Sequence, residues 1–567
     1  MSRPAEPRAA AWRLRRGRLA RLARLARLAW ALGLLALPVA CALGLLAGPV
    51  AAAGPGEIDG AALYRQHCAA CHGAQRTGAM GPALLPESLE RLRPAEALKT
   101  IAEGRQATQM PGFAASLTAD EMAALARHIR SPVLPAPRWD EADIRASQVT
   151  HRAPQALPAQ PQWRADPMNL FVVVEAGDHH VSVLDGDRFT VLHRFASRYA
   201  LHGGPKFTPD GRYVFFGSRD GWISKFDLYS LQLVAEVRAG LNMRNVAVSG
   251  DGRWVLAANY FPHTLVLLDA GLNLVKTYAA TTRDGQASSR VSAVYDAAPR
   301  KSFVVALKDI AELWEISYDR QAEPIHDGLV HDHRLGEALP TAGFLGVRRT
   351  PLDEPLDDFF FDPPYRHVLG ATRAKASGEP SAQVVNLDIR RKVAALPIAG
   401  MPHLGSGISF AREGRRLLMS PNLKDGALDI IDLGPEGGMA APGDARAWQR
   451  VGRIEMPGPG FFVRSHEASP FAWADSMMSP GAKDTLTIID KRSLSVAGQV
   501  REPGKTLAHI EFSKDGRHAL ASVWEMDGAL IVYDAATWKE IKRLPMRKPV
   551  GKYNVFNKIT RSEGTSH

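Results

Sequence analysis

The chain has 567 residues, of which 46% are hydrophobic and 23% charged. This composition supplies enough apolar side chains for several packed domains and excludes an intrinsically disordered protein. The formal net charge is +11, but residues 1–53 hold nine arginines and one glutamate and so carry +8 of it. The remaining +3 argues against nucleic acid as a partner, because phosphate backbones are bound by strongly cationic surfaces.

The N-terminus has the pattern of an export signal. A basic stretch at residues 13–27 precedes an apolar run at 29–46, and the alanines at 51–53 match an A-x-A cleavage site. We predict a cleaved signal over residues 1–53 and a periplasmic mature protein without a stable membrane span. A single membrane anchor is the alternative. Cys41 lies inside the apolar run and is assigned to the signal.

Cys68-Ala69-Ala70-Cys71-His72 forms a C-x-x-C-H motif and uses two of the three cysteines of the chain. In this motif the two thiols bind a haem covalently and the adjacent imidazole becomes an axial ligand of the iron. A zinc half-site is the alternative, but it needs further Cys or His ligands at short spacing, and the nearby sequence has none. We therefore predict one covalent haem c held by Cys68, Cys71 and His72.

The motif predicts a small all-α class I cytochrome c domain over residues 54–130. An amphipathic helix is expected at 57–68 and a second helix at 117–129. Thr118 is the predicted N-cap of the second helix, and Glu121 completes a capping box.

Met110, followed by Pro111, is the predicted second axial ligand of the haem c iron. Met80 is the alternative, but it follows His72 by only eight residues, which is short for a chain that must cross to the opposite haem face. Both methionines could instead pack against the ring.

Residues 131–166 predict a linker, because prolines recur there and few apolar residues are periodic. Such a linker permits domain movement or exchange between chains.

From residue 167 onward one sequence pattern recurs, in which a tight turn separates short apolar strands. Its clearest copies contain the tripeptides 210–212, 251–253, 413–415 and 515–517. A period of about 40 residues with four strands per copy is typical of a β-propeller. Eight copies predict an all-β, eight-bladed propeller over residues 167–567, with a series of β-sandwiches as the alternative.

Three histidines are candidates for the mouth of the propeller channel. His202 precedes Gly203-Gly204, and His403 stands among glycines, so a flat ligand could approach both backbones closely. His509 begins the last blade in the segment LAHIEF. For each of them, a packed and hydrogen-bonded histidine is the alternative.

Arginines near the blade ends are candidates to bind carboxylates of a tetrapyrrole, because guanidinium groups bind carboxylates with two hydrogen bonds. Arg219 and Arg244 are favoured over Arg198 and Arg373, since they flank the predicted channel mouth in adjacent blades. The remaining histidine clusters are predicted to lie in exposed turns or an insertion: His179, His180, His326, His331 and His333.

A C-x-x-C-H domain followed by an eight-bladed propeller resembles the cytochrome cd1 family over residues 56–560. That family includes nitrite reductases, which bind haem c and haem d1, and a branch that makes haem d1. MPHLGSGISF matches the segment that carries one active-site His of the reductases, at His403. Asp357 stands where the reductases have their other active-site His. RYALHGGPKF, LDDFFFDPPYRHVLG, KTLAHIEF and GKYNVFNK resemble the biosynthetic branch.

The resemblance implies an oxidoreductase that converts a propionate of dihydro-haem d1 to the acrylate and passes electrons through haem c to an external acceptor. It implies His202 as proximal ligand of the substrate iron, His403 as distal ligand or acid/base group, and His509 as acceptor of a side-chain proton. The expected partners are the tetrapyrrole, the acceptor, a nitrite reductase and other haem d1 assembly proteins. The alternatives are a nitrite reductase, a haem d1 carrier and a dehydrogenase of another substrate.

Overall fold

The structure, a computed structural model, describes residues 58–89, 92–105, 110–198, 200–326, 340–372, 382–396, 398–436, 444–561 and 563. Within this part of the chain, no helix is long and apolar enough to cross a membrane. The predicted signal at 1–53, with Cys41, lies outside the described residues, as do Arg373, His331 and His333.

The first described region is helical, as the sequence predicts. Its helices are α1 (Gly60–His67), α2 (Ala69–His72), α3 (Pro86–Leu89), α4 (Pro94–Glu103) and α5 (Ala119–His128). The capping box of α5 is formed: Thr118 Oγ1 accepts from the Glu121 amide at 3.3 Å, and Glu121 Oε2 accepts from the Thr118 amide at 2.8 Å. The start of α1 lies so close to α5 that a side chain at Gly60 would meet the Ala124 carbonyl oxygen at 2.6 Å. The two helices therefore pack backbone to backbone.

The proline-rich segment that follows is attached to the propeller along most of its length. It contains α6 (Glu141–Ala146) and β1 (Val149–Thr150), and β1 pairs with the outermost strand of the second blade. Two indole N–H groups anchor its ends to that blade: Trp139 donates to the Arg238 carbonyl at 2.8 Å, and Trp163 to the Leu228 carbonyl at 2.7 Å. Arg76 donates to the carbonyls of His128 and Ser131, so only the residues between Ser131 and Trp139 remain as a tether.

The rest of the described chain forms eight antiparallel four-stranded sheets, which confirms the predicted propeller. With the innermost strand of each blade first, blade 1 comprises β33 (Pro549–Asn554), β2 (Leu170–Glu175), β3 (His180–Asp185) and β4 (Thr190–Ala196). Blade 2 comprises β5 (Lys206–Phe207), β6 (Tyr213–Gly217), β7 (Trp222–Asp227) and β8 (Gln232–Arg238), with β1 added outside. Blade 3 comprises β9 (Asn242–Val248), β10 (Trp254–Phe261), β11 (Thr264–Asp269) and β12 (Leu274–Ala279). Blade 4 comprises β13 (Val291–Ala297), β14 (Ser302–Leu307), β15 (Glu312–Ser317) and β16 (Val347–Pro351).

The second half of the ring follows the same order. Blade 5 comprises β17 (Asp358–Phe361), β18 (His367–Ala371), β19 (Ala382–Asn386) and β20 (Arg391–Leu396). Blade 6 comprises β21 (Ile408–Arg412), β22 (Arg415–Ser420), β23 (Ala427–Pro435) and β24 (Arg450–Glu455). Blade 7 comprises β25 (Val463–Arg464), β26 (Phe471–Asp475), β27 (Thr485–Asp490) and β28 (Ser495–Arg501). Blade 8 comprises β29 (Leu507–Phe512), β30 (His518–Val523), β31 (Gly528–Asp534) and β32 (Glu540–Met546), and α7 (Val555–Thr560) ends the fold. Short 3₁₀ turns span Pro154–Ala156, Pro167–Asn169, Ala298–Arg300 and Leu404–Ser406.

The recurring tripeptide is the turn between the innermost strand and the second strand of a blade. In blade 3, Ser249 Oγ donates to Asp251 Oδ1 at 2.5 Å, and the same carboxylate oxygen accepts from the Arg253 amide at 3.0 Å. The glycine between them, Gly252, has a φ of 69°, which a residue with a side chain rarely adopts. The same bonds recur around Asp210 and Asp515. The repeat therefore encodes the hairpin that lies nearest the channel.

The ring is closed by the end of the chain. β33 pairs antiparallel with β2, with Tyr553 opposite Val172, so the last strand completes the first blade. The hydrophobic core lies between successive sheets, as in the cluster of Phe215, Val246 and Val255 that joins blades 2 and 3. The innermost strands line the central channel, as in other propellers.

Candidate functional site

His72 is positioned as a haem c ligand by α2 and the chain that follows it. Its Nδ1 lies 2.7 Å from the Pro82 carbonyl oxygen, which can only accept, so Nδ1 carries the hydrogen and Nε2 keeps its lone pair. Metal-bound histidines are oriented in this way. Burial also lowers the pKa of His72 below its usual 6.5, which keeps the ring neutral. Cys68 and Cys71 are free thiols on either side of the α2 start. These three residues fit a covalent haem c.

The two candidate methionine ligands lie in different places. Met80 Sδ is 4.0 Å from Cys71 Sγ, and a side chain at the next residue, Gly81, would meet the His72 ring at 2.6 Å. Residues 80–82 therefore lie on the His72 side, whereas the second ligand must approach the opposite haem face. Met110 lies in the loop between α4 and α5, where its carbonyl accepts from the Arg105 amide at 3.2 Å. This placement favours Met110, whose ligation stays a prediction.

The innermost strands and the segments directly before them bring one candidate group from every blade to the channel. In ring order, beginning at blade 1, these groups are Tyr553, His202, Arg244, Tyr295, Asp358, His403, Phe462 and His509. Aromatic rings connect one side of this circle, with centroid separations of 4.1 Å from His403 to Phe461, 4.6 Å from Phe461 to Phe462, 4.6 Å from Phe462 to His509 and 5.1 Å from His509 to Tyr553. The structure thus places the three predicted histidines around one channel.

His202 precedes β5 and is prepared to bind a metal. Its Nδ1 donates to the Arg244 carbonyl at 2.7 Å, so the Nε2 lone pair is directed away from the backbone. Arg219 Nη2 donates to that Nε2 at 2.8 Å, and the Arg244 guanidinium lies 3.2 Å from Nδ1. Burial and these two cations hold the pKa of His202 well below its usual value. The sequence-predicted histidine and its two predicted arginines therefore form one cluster.

His403 precedes β21 and shows the same arrangement. Its Nδ1 donates to the Phe461 carbonyl at 3.0 Å, and its Nε2 lies 3.5 Å from Asp358 Oδ2. The hydroxyl of Tyr295 donates to the other oxygen of that carboxylate at 2.8 Å. The side chain of Asp358 reaches this position because Gly405 leaves room for it: a Cβ there would be 2.3 Å from Asp358 Oδ2.

His509 differs from His202 and His403 in having no hydrogen-bond partner on either ring nitrogen. Its side chain is 1% exposed, and its φ of 49° places a bulge in β29 between Ala508 and Ile510. Burial, together with Lys552 and Arg464, holds its pKa well below 6.5. A buried neutral imidazole without partners can accept a proton from a bound molecule.

Further buried polar groups of the channel wall lack partners of their own. Arg464 Nε and Glu511 Oε2 make no hydrogen bond, although both residues are almost fully buried. Orphaned buried donors and acceptors are rare, and they indicate a ligand with polar substituents. With three histidines and the cations Arg219 and Arg244, this wall fits an iron tetrapyrrole that carries carboxylates.

The sequence did not predict the channel residues that act by contacting other residues of the channel. Asp358, Tyr295 and Arg464 occur in unremarkable strand sequence, and only the ring topology brings them to the channel. Asp475 is also buried. Its Oδ1 accepts from the Phe461 amide at 2.8 Å, its Oδ2 accepts weakly from the His509 amide at 3.4 Å, and burial raises its pKa to about 6. It links the loop before β25 to strand β29.

Other candidates lie elsewhere. Arg198 pairs with Glu236 at 2.9 Å and stacks on Trp222, away from the channel cluster. The His180 ring bonds to the Asp178 carbonyl. Asp357, which stands where the reductases have an active-site His, forms an ion pair with Lys308 at 2.5 Å. Its carboxylate charge is therefore neutralised. Among the residues that the structure describes, no cluster of three or more potential metal ligands occurs.

Two family descriptions match the chain. "Cytochrome D1 heme domain" matches residues 165–331 and 344–558, and "Cytochrome C oxidase, cbb3-type, subunit III" matches residues 57–129. The chain belongs to the cytochrome D1 heme domain family. This result confirms the predicted family and the predicted order of a haem c domain and a d1-type propeller.

Members of the cytochrome D1 heme domain family differ widely in their similarity to this chain. "Dihydro-heme d1 dehydrogenase" of Pseudomonas aeruginosa is 52% identical over 90% of this chain and 96% of its own length. "Nitrite reductase" of Stutzerimonas stutzeri is 27% identical over 87% of this chain and 92% of its own length. The solved structure "Dihydro-heme d1 dehydrogenase NirN in complex with DHE" has a TM-score of 0.74 and 51% identity, and the match covers 88% of this chain and all of that one.

Proposed function

We propose that this protein is a dihydro-haem d1 dehydrogenase. The observation that carries the proposal is His509, a buried imidazole without hydrogen-bond partners in a channel that also holds two histidines oriented by bonds from Nδ1 to backbone carbonyls. A sequence identity of 52% to a relative of that name supports it, and the identity to a nitrite reductase is only 27%. The pairing of Asp357 with Lys308 also argues against the reductase, because a neutralised carboxylate replaces an acid/base histidine.

The reaction converts –CH₂–CH₂–COO⁻ to –CH=CH–COO⁻ and releases two protons and two electrons. We assign His202 as the proximal ligand of the substrate iron through Nε2, which requires the Arg219 side chain to move aside. Arg219 and Arg244 would then pair with substrate carboxylates. His403 is the distal ligand or an acid/base group; as the latter it would accept one proton, and as the former it would leave that proton to solvent water.

His509 accepts the other proton, because its low pKa keeps the ring neutral and ready at pH 7. Cys68, Cys71 and His72, with Met110 as second ligand, would hold haem c, which would supply one-electron transfer. An external acceptor collects the two electrons in succession.

We also propose the organisation in which this reaction takes place. Residues 1–53 act as an export signal, 54–130 as the cytochrome c domain, 131–166 as the connection and 167–567 as the propeller. The basic N-terminus and the C-x-x-C-H motif support a periplasmic location, since haem c is attached outside the bacterial cytoplasm. The product is haem d1, which a nitrite reductase would receive directly or through other assembly proteins.

The test is an anaerobic incubation of the holoprotein with dihydro-haem d1, followed by extraction and mass analysis of the tetrapyrrole. We expect a loss of two hydrogens that depends on an added one-electron acceptor. Binding without a mass change would contradict the proposal and indicate a carrier. Rapid nitrite turnover without conversion would indicate a reductase.

A further inference from the structure

Segment 461–464 lies between the two histidines that the proposed reaction places at the side chain of the substrate. The ring of Phe461 lies 4.1 Å from that of His403, and the ring of Phe462 lies 4.6 Å from that of His509, measured between centroids. The two phenylalanine rings are 4.6 Å apart. A polar group on this segment therefore borders the same part of the channel as the two histidines.

Two hydrogen bonds join this segment to the loop that carries His403. Nδ1 of His403 donates to the Phe461 carbonyl at 3.0 Å, and Arg464 Nη1 donates to the Ser406 carbonyl at 3.1 Å. The first bond holds the start of the segment and the second holds its end. Arg464 is thus positioned before a substrate binds, and it loses less conformational entropy on binding than a mobile side chain would.

The guanidinium group of Arg464 presents one open edge. Both hydrogen bonds that it makes to the described residues come from Nη1, to the carbonyls of Ser406 and Val463. Its Nε has no hydrogen-bond partner, although the residue is only 3% exposed. A buried charged donor without an acceptor is costly, so this position favours a ligand that supplies one. Nε and Nη2 form the edge on which a carboxylate binds side-on.

Two other arginines of this protein bind carboxylates through that edge. Nε and Nη2 of Arg290 donate to Asp309 at 2.9 and 2.6 Å. Nε and Nη2 of Arg198 donate to Glu236, each at 2.9 Å. Such bidentate pairs are among the strongest hydrogen bonds that a carboxylate makes. Arg464 offers the same geometry to a ligand.

The carboxylates that face Arg464 do not occupy this edge. They are Glu511 and Asp475. Oε1 of Glu511 accepts from the Asn557 side chain and Oε2 has no partner, while both oxygens of Asp475 accept from backbone amides. In the described part of the chain, no ion pair joins Arg464 to either of them. Their charges reduce the cost of burying the guanidinium and leave its open edge to a ligand.

We propose that Arg464 binds the carboxylate of the reacting propionate through Nε and Nη2 and so holds its methylene groups between His403 and His509. The inference rests on the proposed function and adds to it the residue that selects the reacting side chain. Arg464 stays charged and exchanges no proton, so the balance of two protons and two electrons for each –CH₂–CH₂–COO⁻ group is unchanged. The ion pair also offsets the negative charge that develops beside the carboxylate as the adjacent carbon loses its proton.

The length of the bound side chain decides whether it can react in this position. In a propionate, both carbons that lose hydrogen lie within two bonds of the carboxylate carbon. Once the guanidinium holds the carboxylate, both C–H groups lie next to it and face the histidines. An acetate bound in the same way has a single methylene group and cannot form a double bond within its chain. Arg464 would therefore determine which substituent of the tetrapyrrole is oxidised.

The first test measures binding and conversion by Arg464→Ala holoprotein. Without an electron acceptor, the affinity for dihydro-haem d1 in an anaerobic absorbance titration should fall on the order of 10–100-fold, as expected for the loss of a hydrogen-bonded charge pair. With an acceptor, conversion at saturating substrate should slow at least about 100-fold, because the methylene groups are no longer held at the histidines. Added methylguanidinium should restore conversion in proportion to its concentration, whereas methylammonium should not.

A second variant, Arg464→Lys, distinguishes charge from geometry. Lysine keeps the positive charge but lacks the planar pair of N–H groups that binds a carboxylate side-on. We expect Arg464→Lys to retain the haem c absorbance of the wild type and to convert at least about 10-fold more slowly. Conversion at the wild-type rate would contradict the side-on contact.

Arg415→Ala is the matched control, because Arg415 also presents Nε and Nη2 to a carboxylate, that of Asp432 in the same blade. It should convert like the wild type and should not respond to methylguanidinium. Wild-type conversion by Arg464→Ala would overturn the proposal, and so would a loss that methylguanidinium does not restore, since Arg464 would then only hold the His403 loop.

The binding measurement keeps this proposal separate from the proposed function. If the wild-type protein binds dihydro-haem d1 without converting it, the proposed function fails. The affinity of Arg464→Ala then decides whether the guanidinium binds a carboxylate of the tetrapyrrole. An affinity equal to that of the wild type would exclude this contact.

Discussion

The backbone of His509 is left-handed, with a φ of 49°, inside a strand that is otherwise extended. Residues with a side chain and no local hydrogen bond adopt this conformation at a cost of about 1–3 kcal/mol. The imidazole also forgoes every hydrogen bond that a buried ring would normally make. Both costs are explained if β29 presents the His509 ring to a substrate.

Substitution of His509 should impair the conversion of dihydro-haem d1 and leave its binding intact. We expect His509→Asn to bind dihydro-haem d1 with an affinity within about threefold of wild type and to lose at least about 100-fold in conversion. Asparagine suits the test, because it tolerates the left-handed backbone better than alanine does. Binding is measured by anaerobic absorbance titration and conversion by mass analysis.

The control for this variant is His193→Ala, since His193 lies on the outermost strand of blade 1 and also has a pKa lowered by burial. It should convert normally. Conversion by His509→Asn at a wild-type rate would assign the proton to another group.

The positions of single residues were predictable where the backbone pattern carried the signal. The glycines beside His202 and His403 marked these loops as ligand-accessible, and the structure places both histidines in the channel. Asp358 and Asp475 could not be predicted in this way, because Tyr295 and the His509 amide, which bond to them, are contributed by other blades. Contacts between distant segments leave no local trace in the sequence.

At the scale of elements, α5 shows how far local chemistry determines a helix. The capping box satisfies two amides at the α5 N-terminus, and Glu121 also receives the Thr118 hydroxyl at 2.9 Å. These bonds involve only four consecutive residues, so the sequence was sufficient to predict the helix start.

Removal of this cap should weaken the cytochrome c domain selectively. We expect Thr118→Ala to lower the free energy of unfolding of this domain by about 1 kcal/mol. Denaturant unfolding followed by the haem c absorbance reports on this domain, and tryptophan fluorescence reports mainly on the propeller. Ser116→Ala is the control, because Ser116 makes only a long bond of 3.3 Å to the Phe113 carbonyl. Equal stability of both variants would show that the cap contributes nothing.

At the scale of the whole molecule, the ring depends on a pairing between β2 and β33, which are separated by almost the full length of the propeller. The sequence predicted the number of blades from the repeat, but it did not predict which strand closes the ring. Residues 549–554 carry no copy of the recurring turn, and their place is determined only when all other blades have formed.

Deletion of residues 549–567 should therefore open the propeller. It removes the innermost strand of blade 1 and uncovers Val172 and Val173, which are fully buried in the complete chain. We expect the truncated protein to aggregate or to lose its cooperative thermal transition, as measured by calorimetry. A chain that lacks only residues 564–567 serves as the control and should melt like the full-length protein. A normal transition in the longer deletion would contradict the importance of ring closure.

The anchoring of the proline-rich segment by Trp139 and Trp163 has a kinetic consequence. The free tether between Ser131, whose carbonyl accepts from Arg76, and Trp139 has about seven residues, which span at most about 25 Å when extended. A group on so short a tether is present near the propeller at an effective concentration of about a millimolar or more. Transfer of an electron from the propeller to the haem c of its own chain therefore follows first-order kinetics, independent of protein concentration, and partner chains compete only in concentrated solutions.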